Sequence, residues 1–276
     1  MHYNMLIGPN WQARDLQSLR FNAGTRPFPP SPLRVPSMQR TTRFALALAA
    51  TALLAAPATA QTYNLANDFS VTTQSGAWTY GFYAGPGKGK ADFAAFAQYT
   101  SCAGGACGSS ELNGLVSWSK IGGGDPNIIK NTGATFTTSA FGQITFNANQ
   151  VTFGPYLGPT VARWTAQAAG TYDVSAMFQT VQVVNTAPMA YVYSSTNVNP
   201  DGSSTLASAW NFSKTFTLQQ NDYVDFVVWG GDNQNKTTQV SANISTVPEP
   251  GTYALMLGGL ATLGFVARRR KSGKTA

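Results

Sequence analysis

The chain has 276 residues, with 18 Lys and Arg against 11 Asp and Glu, and a formal net charge of +7. That charge sits at the ends: six arginines precede Gln61 and five basic residues follow Pro250, leaving residues 61–250 with seven basic and ten acidic side chains, a net of −3. A mildly anionic body has no electrostatic footprint for phosphate backbones, which excludes nucleic acid as a partner.

Residues 1–37 include "RPFPPSPLRVPS", proline-rich and without apolar periodicity, and are expected to be disordered and to lie upstream of the natural start. From Met38 the order changes to Arg40 and Arg43, an apolar run from Phe44 to Ala56, and Ala58-Thr59-Ala60. A basic n-region, an apolar h-region and an A-x-A site make a signal peptide over 38–60, cut by signal peptidase between Ala60 and Gln61. The competing reading is a cytoplasmic extension with the apolar run as an uncleaved anchor, and N-terminal sequencing separates the two.

Between Gln61 and Thr246 the pattern is β. In "GTYDVSAMFQTV", Tyr172, Val174, Ala176 and Phe178 share one face. In "DYVDFVVWGG", Val224, Phe226 and Val228 are the expected core face, opposite Tyr223, Asp225, Val227 and Trp229. Further strand-like runs are "GAWTYGFY", "LVSWSKI", "QITFNANQVTF", "VARWTA", "MAYVYSS", "LASAWNFSKTFTL" and "TTQVSANIS", divided by Gly-, Pro-, Asn- and Asp-rich breaks. "KADFAAFAQY" has near-helical spacing and predicts one short helix. Strands at this spacing predict an all-β fold over 61–246, an antiparallel β-sandwich of jelly-roll type, followed by a C-terminal hydrophobic helix. Cys102 and Cys107, in an exported chain, are expected to form a disulfide.

The tail over 247–276 has three parts: Pro248-Glu249-Pro250; an uncharged run of sixteen residues from Thr252 to Ala267, apolar all round; and Arg268, Arg269, Arg270 and Lys271. A run with no polar face does not pack as an amphipathic helix on a domain. Sixteen residues are marginal for a span, which takes about 20, and the arginines hold its far end inside. This order resembles the PEP-CTERM sorting signal of Gram-negative bacteria. The resemblance implies cutting by an exosortase near Pro248, Glu249 and Pro250 and passage to the cell surface, with a short transmembrane helix as a transient inner-membrane anchor. The strand series "VARWTA", "GTYDVSAMF", "NDYVDFVVWGG" and "VSANIS", over 141–245, is similar to the β-sandwich of many PEP-CTERM proteins and of carbohydrate-binding-module-like domains. Asn221 stands where that pattern has glycine before Asp222.

The single histidine, His2, precedes the expected mature start, so Ser-His-Asp and Cys-His catalysis and histidine-bound zinc have no residues to work with. No phosphate loop, nucleophile elbow or metalloprotease motif occurs. Most acids flank turns, where Asp bonds its own backbone; Glu111 is the one without such a role. Neither cofactor nor metal is expected. For binding, "WGGDNQN" places Trp229 beside Asp232, Asn233 and Asn235, an aromatic face with amides for sugar hydroxyls. The expected function is that of a non-enzymatic, exported cell-surface or extracellular-matrix protein, processed by an exosortase-like enzyme and holding exopolysaccharide. Two alternatives stand beside it: a secreted glycan hydrolase using paired carboxylates, and a permanently anchored single-pass adhesin.

Overall fold

Alternation decides which side of each strand is buried, and the longest strands follow it. The computed structural model describes residues 60–272 apart from 75, 86–88, 104–106, 108, 121–125, 140–141, 157, 183–185, 231–235 and 249; the expected upstream segment and nearly all of the leader, Ala58 included, lie outside the described residues. In β11 (Gly170–Thr180), Tyr172, Val174, Ala176 and Phe178 are buried while Asp173 and Ser175 are exposed. In β15 (Tyr223–Trp229), Val224, Phe226 and Val228 join the same core.

Two antiparallel sheets carry these faces. One runs β14 (Ala209–Leu218), β11, β16 (Thr238–Val247), β9 (Val151–Gly154), β6 (Asn127–Asn131), β5 (Leu115–Ser119) and β4 (Gln98–Ser101), with β1 (Thr62–Asn64) also on β16. The other runs β13 (Gly202–Thr205), β12 (Met189–Ser194), β15, β10 (Thr160–Thr165), β2 (Trp78–Tyr83) and β3 (Phe93–Ala95). From β9 onward most successive strands change sheets, so each sheet's inner face needs the other to bury it, and the result is a β-sandwich. Between the sheets Trp164 is fully buried, meeting Tyr63 and Tyr172 edge-on at 5.2 and 4.9 Å between centroids, the offset geometry that aromatic quadrupoles favour.

Two sequence expectations change. "KADFAAFAQY" is not a helix beyond one 3-10 turn at Lys90–Asp92: the chain goes straight into β3 and β4, because Phe93 pairs with Tyr83 and strand pairing overrides the local spacing. "QITFNANQVTF" is two strands, not one. Gln150 N–H donates to Asn147 O at 3.2 Å and Asn149 has φ 55°, so a turn separates β8 (Ile144–Phe146) from β9; Asn tolerates that left-handed backbone. Asn221 also has positive φ, 71°, so at this turn Asn does what glycine does elsewhere.

The β8 strand pairs with β7 (Phe136–Thr138), and this hairpin packs with Cys102, Leu112 and Leu115 in a second, smaller cluster. Cys102 and Cys107 are joined in a disulfide, their Cα atoms 4.9 Å apart. Glu111, the acid without a turn role, ties the hairpin down: Ser139 N–H and Ser139 Oγ donate to it at 2.9 and 3.0 Å, and Thr138 Oγ1 donates as well.

The edge strand β14 is guarded by Lys214. It lies opposite Val174, on the inward side, and its Nζ donates to Asp201 at 2.7 Å. An inward-pointing charge at an edge discourages pairing with another chain. Burial would raise the Asp201 carboxyl, but Lys214, Ser194 and Asn197 overcome it and hold the pKa below 3.8. A lowered carboxylate contributes stability above its unfolded pKa and loses it as pH falls through the folded one. Asp201→Asn is therefore expected to melt lower near neutrality and to show a shallower loss of stability below about pH 4 than the wild type, in thermal melts across that range.

After Val247 the chain leaves the sheet, and Pro250–Ser272 form one helix, α1. Leu257, Leu260, Leu263 and Phe265 are all exposed, 53–63% by residue. These side chains present apolar surface for another partner.

Candidate functional site

The six-stranded sheet has an outer face that alternation alone would leave wet. Its registers build one row across four strands: Tyr193 in β12, Asp225 in β15, Arg163 in β10 and Thr79 in β2. A second row runs Tyr191, Val227, Val161 and Gly81. Met189 opposite Trp229 completes the end nearest the loop after β15.

At the centre Asp225 is 0% exposed. Arg163 Nε and Nη2 donate to its two oxygens at 2.7 and 2.8 Å, and Tyr83 Oη donates to Oδ2 at 2.9 Å. The bidentate pairing matches guanidinium to carboxylate geometry and orients both. Burial pushes the Asp225 carboxyl up, with Arg163 and Tyr83 opposing it. Burial also drives the Tyr83 phenol far above its usual value, the adjacent carboxylate adding to it, so Tyr83 remains a donor.

The guanidinium lies between two rings, Phe93 at 4.0 Å and Tyr223 at 3.7 Å from its Cζ. Cation–π attraction to both faces offsets part of its lost hydration. Phe93 reaches this place because β2 has Gly81 there: a Cβ would stand 2.2 Å from Ala94 O and 2.8 Å from the Phe93 ring. Lys90 O accepts from Arg163 Nη2 at 3.3 Å, while Lys90 Nζ donates to Ser194 O at 2.9 Å and to Asn197 O, pinning the segment before β3 to the turn after β12.

Around this buried pair stands a ledge of half-buried rings. Tyr191 and Tyr193 stack with centroids 5.8 Å apart and planes 25° apart, and Tyr193 meets Tyr83 edge-on. Burial raises the pKa of both phenols, so the ledge is neutral at physiological pH. Met189 is 39% exposed beside it and accepts from Tyr191 Oη at 3.1 Å. Chemically this is a rigid, uncharged aromatic surface with hydroxyls at its margin, suited to stacking against a flat apolar ligand face.

The sequence placed a ligand loop at Trp229, Asp232, Asn233 and Asn235. Trp229 is half-buried at the end of β15 on this outer face; Asp232, Asn233 and Asn235 lie outside the described residues. The Tyr83–Arg163–Asp225 cluster was missed. Its signal was present: a lone arginine in "VARWTA" and a lone aspartate in "YVDFVVW", opposite charges in two apolar central strands.

The other described carboxylates are engaged locally. Asp68 accepts from Asn64 N–H at 2.8 Å, Asp222 from Gln219 N–H at 2.7 Å, and Asp173 from Thr215 Oγ1 at 2.5 Å. Among the described residues no three His, Cys, Asp or Glu side chains gather as a metal set.

At the chain ends, Ala60 and Gln61 are exposed, and Gln61 is bonded to Thr246. Pro248 is half-buried, Pro250 opens α1, Glu249 lies outside the described residues, and Arg268, Arg269 and Arg270 lie in the last turns of α1. Among the described residues no helix is long and apolar enough to cross a membrane.

No curated protein matches the chain. Solved structures similar to it include a family 51 carbohydrate-binding module from Clostridium perfringens in complex with methyl-galactose, at 8% identity and TM-score 0.30, covering 67% of this chain and 100% of that one. A cleaved adhesin domain of Lys-gingipain from Porphyromonas gingivalis is similar at 13% identity and TM-score 0.29, over 36% of this chain and 74% of that one. The N-terminal cellulose-binding domain of a Cellulomonas fimi β-1,4-glucanase is similar at 11% and TM-score 0.27, over 42% and 90%. At such scores the fold rests on the sheet registers above, and no ligand is carried over from them. Residues 246–271 match the PEP-CTERM protein-sorting motif. The chain is thus an exported protein bearing, from the last residues of β16 to the arginine cluster of α1, the sorting signal on which exosortase acts.

Proposed function

We propose that the chain is cut at both ends, by signal peptidase before Gln61 and by an exosortase-like enzyme near Pro248–Pro250, and that the remaining β-sandwich serves without catalysis as a cell-surface or exopolysaccharide-matrix protein. Before the second cut, the apolar helix holds the chain at the inner membrane by shallow association rather than as a lasting anchor. The mature sandwich holds glycan on the outer face of its six-stranded sheet.

The observation that carries the glycan reading is the stacked Tyr191–Tyr193 ledge with Trp229 and Met189 at its end. Pyranose rings present an apolar C–H face, and neutral, rigid aromatics take such faces at little entropic cost. The buried Arg163–Asp225 pair acts beneath as a positioning element, fixing the spacing between β10 and β15 on which the ledge stands. Hydrolysis by paired carboxylates is the weaker reading. Asp225 is taken up by Arg163, and Glu111 by the hairpin.

A glycan array probed with the mature protein, wild type and Tyr191→Ala/Tyr193→Ala, tests this. The expected result is selective retention of polysaccharide by the wild type and a loss of about ten-fold or more in the double variant. Equal binding by both forms, or release of reducing ends from any retained glycan, would overturn it.

A further inference from the structure

The sorting motif does not begin beyond the folded domain; it begins inside it. The matched segment opens at Thr246, and β16 continues to Val247. From Asn243 to Thr246 β16 has a neighbour on each edge. On one side β11 pairs Asn243 with Ser175 through to Val247 with Thr171. On the other, where β9 has already ended at Val240, β1 pairs Asn64 with Asn243, Tyr63 with Ile244 and Thr62 with Ser245. Gln61 extends that pairing into the motif: its N–H donates to Thr246 Oγ1 at 2.8 Å, and its carbonyl accepts from Thr246 N–H at 2.9 Å.

The β1 strand is short and one-sided. Among the described residues it pairs only with β16. An open cleft of about 340 Å³ lies against it, lined by Gln61, Thr62, Tyr63, Asp68, Ser70 and Trp78 among others. Its inner end is held by Tyr63, packed on Trp164, and by Leu65, whose N–H donates to Ala242 O at 3.0 Å. The outer end, Gln61 and Thr62, is exposed and held by ladder bonds. Segments with few buried contacts and solvent-exposed ladder bonds open locally at far lower cost than the whole fold.

An enzyme that cuts an extended segment commonly holds it by adding a strand to its free edge. Just upstream of Pro248, residues 243–246 have no free edge while β1 is docked. We propose that β1 is a latch on the sorting motif: docked, it fills the edge of β16 beside Thr246; peeled back, it opens that edge to a strand of the processing enzyme. The partner surface is therefore the β1-side edge of residues 243–246, with the donors and acceptors that β1 and Gln61 now satisfy. The inference rests on the reading that an exosortase-like enzyme processes the tail.

Thr62 and Ser245 are a register pair, and opposed Cα atoms at about 4.5–5.5 Å fall within disulfide reach. The full chain carrying Thr62→Cys and Ser245→Cys is exported into inner-membrane vesicles from the producing cell, and cutting near Pro248–Pro250 is followed by mass. With the pair oxidised, cutting is expected to be slower by about ten-fold or more than with the same pair reduced, while the wild-type rate stays unmoved by the reductant. Tyr63→Ala, which loosens β1 without a new cross-link, is expected to be cut faster than the wild type. Equal rates for the oxidised and reduced pair, or slower cutting once β1 is freed, would overturn the latch. If no form is cut, wild type included, the processing reading fails and takes the latch with it.

Discussion

Replacing Arg163 by Met is expected to destabilise the protein by about 3–5 kcal/mol, a fall in melting temperature of about 10 °C or more. Methionine keeps the aliphatic stem of arginine but not the guanidinium held between Phe93 and Tyr223. What is lost is the only guanidinium on a wholly buried carboxylate, leaving Asp225 with the Tyr83 hydroxyl alone. Burial already pushes the Asp225 carboxyl upward, and without Arg163 the cationic opposition falls to Lys90, the smallest of the opposing influences. A carboxyl raised above its unfolded value binds more protons in the folded state, so stability falls as pH rises through the interval between the two values. The variant's deficit should therefore shrink on acidification through the raised folded pKa toward 3.8. Denaturant titration at neutral and acid pH checks both magnitude and sign. A deficit that grew on acidification would show that Asp225 is not the group left stranded.

Deleting residues 248–276 is expected to abolish retention at the cell surface, by about ten-fold or more in the fractionated protein, and to send the domain to the periplasm or medium. The sandwich itself should be unaffected. The β16 ladder is complete at Val247, and Met256, Leu257, Leu260 and Leu263 of α1 are exposed. Quantitative immunoblots of surface, periplasmic and medium fractions, with a melt of the released domain, separate sorting from folding. Undiminished surface retention would place the sorting information elsewhere in the chain.

Which of these features could be read from the sequence follows a physical line. Period-two alternation is local, so the inward faces of β11 and β15 were legible from "GTYDVSAMFQTV" and "DYVDFVVWGG" before any pairing was known. The tail was legible for the same reason, since its three parts are contiguous. Pairing is not local. That Arg163 meets Asp225 depends on β10 lying beside β15 in one register, and no run of residues encodes that alone. The outer face of the six-stranded sheet therefore looked like a solvent face, although Asp225 and Val227 are as buried as the core. The helix expected in "KADFAAFAQY" failed similarly, because its spacing was right but β2 offered Phe93 a partner. The turn in "QITFNANQVTF" was readable in principle: three Asn and Gln positions interrupt its apolar order, and Asn149 takes the left-handed backbone that asparagine tolerates.

The latch and the ledge both presuppose that the body of the chain, stripped of its two ends, is what works outside the cell. The intact mass of the protein recovered from the cell surface tests that most directly. The account predicts a single species beginning at Gln61 and ending close to Pro250. Recovery there of an uncut chain, with leader and arginine tail still attached, would contradict it.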